Sequence, residues 1–262
     1  MVTIATIRAM KGKEKIVCLT AYDYPTAAIL DKAKIDLILV GDSAANVFAG
    51  ERTTLPITMD EMLYHTRVVC RAVSHALVIA DMPFLSYQTS ERDAVHNAGS
   101  FLKNGACGVK LEGGAPMEAT VKRLVDLGIP VMGHLGLTPQ SIHQFGGYKL
   151  QGGDEINAKR IMEHAVALEH AGIFALVLEK VPAHLAQEIT ERLSIPTIGI
   201  GAGPHCDGQI LVLHDILGLY EEFKPKFVKR YAMIGKSILE AVHHYREDVK
   251  NGTFPDQEHS FD

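Results

Sequence analysis

One unit recurs along this chain: an amphipathic segment, in several cases a glycine, then a short β-branched run. It appears in "YPTAAILDKAKIDLILVGD", "ERDAVHNAGSFLKNGACGVKLEGG", "MEATVKRLVDLGIPVMGHLG", "AKRIMEHAVALEHAGIFALVLE" and "AHLAQEITERLSIPTIGIGAG". The apolar runs are "KIVCLTAYD", "LILVGDS", "ALVIADMPF", "GVKLEGG", "IPVMGHLG", "FALVLEKVP", "IPTIGIGAG" and "QILVLHDIL". They are nearly continuous in apolar residues and do not alternate, which is how parallel strands buried on both faces read. Helix boundaries are marked as well. Thr58 and Glu61 form a capping-box pattern before "MLYHTRVVCRAV", and Gly105, Gly128 and Gly172 stand where helices should stop. Eight runs alternating with helices favour a closed (β/α)8 barrel; an open doubly wound sheet is the other arrangement with this alternation.

A length of 262 residues suits one α/β barrel. No low-complexity linker divides the chain. The expected organisation is one barrel domain over residues 1–262, with a polar C-terminal extension from about residue 249 to 262. The net charge of −5 and the absence of a basic run argue against a nucleic-acid partner. No apolar stretch approaches the roughly 20 residues that span a bilayer, so no membrane partner is expected. The start, "MVTIATIRAMKGKEK", lacks a long apolar core, so no secretory signal is expected. Cys18, Cys70, Cys107 and Cys206 are scattered, without C-x-x-C spacing. Free thiols in a reducing cytoplasm fit that better than a disulfide frame or a zinc site.

The chemistry-bearing residues lie where the strands end. Asp23, Asp42 with Ser43, Asp81, Lys110 with Glu112, His134 and Glu179 each close an apolar run. In a barrel all these ends open onto one face, the face that carries the active site. Lys110 and Glu112 are two apart, so their side chains point the same way; they form either part of a site or a structural ion pair at the rim. Asp42 and Asp81, taken singly, read as helix caps or loop residues. Taken together, with Glu112 as a third acid, they suggest a hard divalent cation, because close carboxylates repel and magnesium favours one or two carboxylates with water and substrate oxygens. Glu179 follows "FALVL" and suits a general base if partly desolvated, or a salt-bridge partner. His134 is either a hydrogen-bond donor or acid, or a satisfied structural histidine. "IGIGAG", with Gly201 and Gly203, permits a phosphate cradle, close approach of a bulky ligand or a tight turn, but lacks the dinucleotide spacing.

The strings "LVGDS", "TLPIT", "ADMPF", "VKLEGG", "GHLGLTPQS", "FGGYK", "IPTIGIGAG", "DGQILVLHD", "KPKFVK" and "EHSF" stand in one order. Together they closely resemble the ketopantoate hydroxymethyltransferase family, from "TAYDYPTA" to "EHSF". The resemblance implies a (β/α)8 barrel of the phosphoenolpyruvate/pyruvate superfamily. It implies transfer of a hydroxymethyl group from 5,10-methylenetetrahydrofolate to 3-methyl-2-oxobutanoate in pantothenate synthesis, with Mg2+ as cofactor. It also implies a cytoplasmic homo-oligomer, typically a decamer. By motif, Asp42 and Asp81 would be magnesium ligands and Glu112 would complete the metal site, through a water if not directly. Asp42, Ser43, Asp81, Lys110 and His134 would hold the keto acid. Glu179 would be the base, and Gly201 and Gly203 would approach the folate.

Three departures stand out. "AAN" (Ala44-Ala45-Asn46) follows "GDS" where the family usually has Leu-Gly-Met. Lys180 follows Glu179 where the family usually has cysteine, and "YKLQGGDE" lacks an arginine often seen after "QG". None removes an implied ligand. By parity Lys180 should point away from Glu179. Two other readings share these residues: another magnesium-dependent 2-oxoacid lyase or mutase that needs no folate, and a barrel that binds a ligand without turning it over.

Overall fold

The computed structural model describes residues 1–219 and 225–261. It divides at Val212 into two compact units, Met1–Val212 and Leu213–Asp262. The first runs α1 (Ile4–Met10), β1 (Ile16–Thr20), α2 (Tyr24–Lys32), β2 (Leu37–Val40), α3 (Ala44–Val47), α4 (Met59–Ala72), β3 (Leu77–Asp81), α5 (Glu91–Lys103), β4 (Gly108–Glu112), α6 (Glu118–Asp126), β5 (Val131–Gly136), α7 (Ile142–Phe145), α8 (Glu155–Ala171), β6 (Ala175–Glu179), α9 (Ala183–Arg192), β7 (Thr197–Ile200) and β8 (Gly208–Leu211). The strands close in sequence order, β8 back onto β1, and every pair is parallel. The closed ring excludes the open sheet.

The helix signals act as read. The Thr58 hydroxyl accepts from the Glu61 N–H at 3.3 Å, and the Glu61 carboxylate accepts from the Thr58 N–H at 2.8 Å, closing the capping box of α4. α8 ends on Gly172 at φ 101°, where a Cβ would stand 2.9 Å from the Val125 side chain. Glycine is required there twice, for the left-handed turn and for the close approach. Asp23, one of the strand-end acids, is drawn into capping. Its carboxylate accepts from the Thr26 N–H at 2.9 Å and from the Thr26 hydroxyl at 2.8 Å, opening α2.

The barrel interior begins as an apolar plug. Ile16, Cys18, Leu37, Leu39, Leu77, Ile79, Met132, Ala175, Val177, Ile198 and Ile210 belong to one buried cluster. Continuing by two along β3, β4, β5 and β6, the same inward parity reaches Asp81, Lys110, Glu112, His134 and Glu179. Burial on both faces holds for β2, β3 and β4 but not for β1 and β8. Val17 is 49% exposed and Gln209 is exposed, so this sector of the wall keeps an open outer side.

The last apolar run, "QILVLHDIL", was expected as a single strand and is not one. β8 stops at Leu211, where its ladder with β1 ends at the Leu19–Leu211 pair, and Leu213–Leu217 turns into helix α10 in the second unit. That unit also holds α11 (Ile234–Asn251), which ends on Gly252 at φ 69°. Regular structure continues to Asn251. Ile234, Ile238, Val242, Tyr245 and Val249 form an exposed apolar stripe along α11. Among the described residues, no helix is long and apolar enough to cross a membrane.

Candidate active site

Strand register gathers the polar ends. Asp81 on β3 pairs with Lys110 on β4, Glu112 on β4 pairs with His134 on β5, and Gly136 on β5 pairs with Glu179 on β6. Each pairing climbs two residues from one strand to the next, which is the stagger a closed barrel imposes. Asp42 arrives by the loop after β2, and its N–H donates to Asp81 Oδ2 at 3.0 Å. Asp42, Asp81, Lys110, Glu112 and His134 are all buried, and Glu179 keeps a slight opening with 14% of its side chain exposed.

Lys110 is the only ammonium among these acids. Its Nζ lies 2.7 Å from Asp81 Oδ1 and 3.8 Å from Glu112 Oε1. Burial alone would discharge it, but Asp81, Glu112 and Asp42 outweigh burial and hold it protonated above its ordinary range. The reading of Lys110 and Glu112 as a simple pair is therefore incomplete, since the shorter contact is with Asp81. Burial is also the largest influence on the acids. It lifts Asp42 to about 6, helped by the Glu112 charge and opposed by Lys110. It lifts Asp81 to about 6 against Lys110, and Glu112 to about 7 against Lys110. Repulsion between the carboxylates, the reason first given for a cation here, is thus secondary to desolvation.

His134 links this cluster to Glu179. Burial first, and then the Lys110 charge, hold its imidazole below the usual range, so it is neutral at neutral pH. Lys110 Nζ stands 3.2 Å from His134 Nδ1, and an ammonium can only donate, so Nδ1 is the acceptor. The ring proton therefore sits on Nε2, which faces Glu179 Oε2 at 3.4 Å. One line of contacts runs Asp81–Lys110–His134–Glu179.

The loops complete the setting. Ser43 Oγ lies 2.8 Å from the Tyr22 hydroxyl. The departure "AAN" folds into the single turn α3, and its Ala44 and Ala45 line a cavity of about 140 Å³ with Phe48, Pro56 and His65. Lys180, at φ 46°, donates from Nζ to the Tyr148 carbonyl at 2.6 Å, tying down the "FGGYK" loop. Gly203 has a packing reason of its own, since a Cβ there would stand 2.4 Å from Ala183 Cβ. Gly201 takes φ 61° in the same turn. Sequence reasoning singled out neither Gln140 nor Tyr87, although Gln140 lies within the quoted "GHLGLTPQS". The Gln140 amide donates to Asp42 Oδ2 and its backbone N–H donates to Glu112 Oε2, both at 2.9 Å.

This donor set fits a hard divalent cation. Three buried carboxylates face one ammonium and a neutral imidazole, and Glu112 Oε1 has no hydrogen-bond partner. Among the described residues, however, no three His, Cys, Asp or Glu side chains are grouped to hold a metal by themselves. A cation at Asp42 and Asp81 would take the rest of its coordination from water and substrate, as small hard cations do.

The comparisons with known proteins agree with this architecture. The model of the family described as ketopantoate hydroxymethyltransferase matches residues 1–257. The chain is 59% identical to the 3-methyl-2-oxobutanoate hydroxymethyltransferase of Geobacter metallireducens, covering 99% of this chain and 98% of that one. It is 56% identical to the protein of the same name from Moorella thermoacetica, covering 99% and 97%. Among solved structures, 2,3-dimethylmalate lyase, a member of the PEP mutase/isocitrate lyase superfamily, superposes with a TM-score of 0.62 at 18% identity, covering 99% and 92%. Phosphonopyruvate hydrolase in complex with oxalate and magnesium gives 0.65 at 11%, covering 99% and 93%, a likeness of fold. With its strand ends, register and nearly full-length match taken together, the chain belongs to the ketopantoate hydroxymethyltransferase family.

Proposed function

We propose that this protein transfers a hydroxymethyl group from 5,10-methylenetetrahydrofolate to 3-methyl-2-oxobutanoate, giving 2-dehydropantoate and tetrahydrofolate, on the path to pantothenate. The observation that carries the reading is the convergence of Asp42, Asp81, Lys110, Glu112, His134 and Glu179 at one end of the barrel, in a chain 59% identical to a relative bearing that enzyme's name. Asp42 and Asp81 are the proposed magnesium ligands, with Glu112 acting through a water. Bound there, magnesium supplies Lewis-acid polarisation of the keto acid's 2-oxo group.

The chain's own residues do the rest. Lys110 sets a buried positive charge where the substrate carboxylate and the growing enolate are negative. Ser43 and His134 border the keto acid. Glu179 takes the C3 proton and becomes the acid, and the electron pair moves into the enolate. His134 Nε2–H, set in that tautomer by the Lys110 contact, faces Glu179 Oε2 at 3.4 Å without a hydrogen bond, and closing that gap would orient the carboxylate before transfer. C3 then attacks the bridging methylene carbon as its bond to one folate nitrogen breaks, that nitrogen taking the proton from Glu179; water displaces the second nitrogen, leaving its oxygen as the new hydroxyl and its proton on the released tetrahydrofolate. Gly201 and Gly203, in the loop after β7, are the proposed close approach for the folate.

The test is an assay with 3-methyl-2-oxobutanoate, methylenetetrahydrofolate and magnesium, with and without chelator. Ketopantoate formed only with all three components supports the reading. Turnover of a 2-oxoacid without folate would replace it with a lyase or mutase, and binding without turnover would leave a ligand-binding barrel. We place the protein in the cytoplasm as a homo-oligomer, a decamer by family resemblance. The four free cysteines and the exposed apolar stripe of α11 support this, and sedimentation would count the subunits.

A further inference from the structure

Gln140 occupies a 3-10 turn, Pro139–Ser141, just beyond β5, and is buried. Its amide is fully engaged. Nε2 donates to Asp42 Oδ2 at 2.9 Å and to the Met82 carbonyl at 2.9 Å. Oε1 lies 2.8 Å from the Tyr87 hydroxyl and accepts from Gln88 Nε2 at 3.1 Å. Only the NH2 end can face a carboxylate and a carbonyl together, so the amide has one orientation. The backbone N–H of the same residue donates to Glu112 Oε2 at 2.9 Å. Tyr87 is fully buried and serves the same two neighbours, because its hydroxyl also accepts from the Glu112 N–H at 3.1 Å.

One residue thus holds one oxygen of each of two acids, one from the loop after β2 and one from the end of β4. Glu112 is left with Oε1 turned toward Lys110 and His134 and without a hydrogen bond. A carboxylate with one oxygen tied down has lost its rotational choice, and the other oxygen is presented in a fixed direction. Ligand carboxylates are oriented in this way by groups that never touch the metal.

We propose that Gln140, braced by Tyr87, is a positioning residue that fixes the Asp42 and Glu112 carboxylates for the divalent cation. The inference rests on the reading of Asp42 as a metal ligand. Gln140 acts through Asp42, so its effect requires the Asp42 charge, whereas a residue that only glues the loop together would matter equally with or without it.

The experiment is a double-mutant cycle on the full-length protein, read as Mn2+ affinity by electron paramagnetic resonance in the presence of 3-methyl-2-oxobutanoate. Gln140→Leu should weaken Mn2+ binding roughly 10–100-fold. In an Asp42→Asn background the same substitution should cost less than about threefold. Native affinity in folded Gln140→Leu overturns the inference, as does an equal loss in both backgrounds. Should Gln140→Leu fail to fold, Tyr87→Phe removes only the hydroxyl behind the amide and should weaken binding roughly 2–10-fold; native affinity in that variant also overturns it. A native protein that binds no Mn2+ defeats the metal reading and takes this inference with it. Binding by the native protein with an indifferent Gln140→Leu defeats this inference alone.

Discussion

Asp31 offers a prediction in which charge, burial and fold are joined. It lies in α2 and is buried, yet it works at the entrance to β3. Its carboxylate accepts from the Ser74 N–H at 2.9 Å, the Ser74 hydroxyl at 3.0 Å, the His75 N–H at 2.8 Å and the Ala76 N–H at 2.9 Å. Burial pushes its pKa up, but the four donors outweigh burial and bring it to about 2. The unfolded value is near 3.9, so the folded state binds the proton less readily. This contribution to stability is complete above about pH 4 and is lost as pH falls toward 2. The gap between the folded and unfolded values corresponds to about 2.6 kcal/mol. In Asp31→Asn one oxygen becomes an NH2 group that faces donors. Leaving one or two donors without an acceptor costs about 1–3 kcal/mol each, so the expected loss at pH 7 is about 2–5 kcal/mol. Urea unfolding of both proteins, followed by circular dichroism at steps from pH 7 to pH 3, measures it. The gap between them should be level down to about pH 5 and shrink below pH 4. A gap under about 0.5 kcal/mol at pH 7, or one that ignores pH, would refute the account of Asp31. β3 carries Asp81 at its far end, so a loosened entrance should also weaken metal binding.

The remaining predictions concern the site. Glu179→Gln should keep its affinity for magnesium and keto acid yet exchange the substrate's C3 hydrogen with heavy water roughly 10²–10⁴-fold more slowly, read by proton NMR; recovery on adding metal would make Glu179 a ligand instead. Lys110→Met strands three buried acids without their cation and should cost about 3–5 kcal/mol in urea unfolding. The loss should be smaller at pH 5 than at pH 8, because carboxyls already lifted to about 6 or 7 take up protons in the folded state; a larger loss at pH 5 would contradict this. Gly136 sits at φ 93°, and a Cβ there would stand 2.1 Å from the Glu179 carbonyl oxygen. Gly136→Ala should cost at least about 1–2 kcal/mol from the backbone alone and slow the same C3 exchange by displacing Glu179. A native thermal midpoint would argue against this packing.

β2, β3 and β4 were legible because a strand buried on both faces must be apolar at nearly every position, and β1 and β8 showed the same apolar runs although one side of each stays open. The closing of the ring was legible only in part, since "QILVLHDIL" remains apolar after β8 has lost its ladder partner. The strand-end residues from Asp42 to Glu179 stood out because a charge at the end of an apolar run needs a partner. Asp23 carries the same signature and is a helix cap, a difference decided by which N–H groups happen to lie within reach. The sequence did not disclose the partners across the barrel. That Lys110 meets Asp81 before Glu112 follows from the stagger between strands, whereas Lys110 beside His134 Nδ1 and Gln140 on Asp42, 98 residues away, depend on how side chains and loops meet at the end of the barrel. Asp31 shows the same limit: nothing local in "AAILDKAK" marks an acid that ties down a distant strand entrance. Side-chain pattern is a local property of the chain and can be read from it. Register, desolvation and the choice of hydrogen-bond partner depend on groups far apart in sequence, so the closed barrel alone decides them.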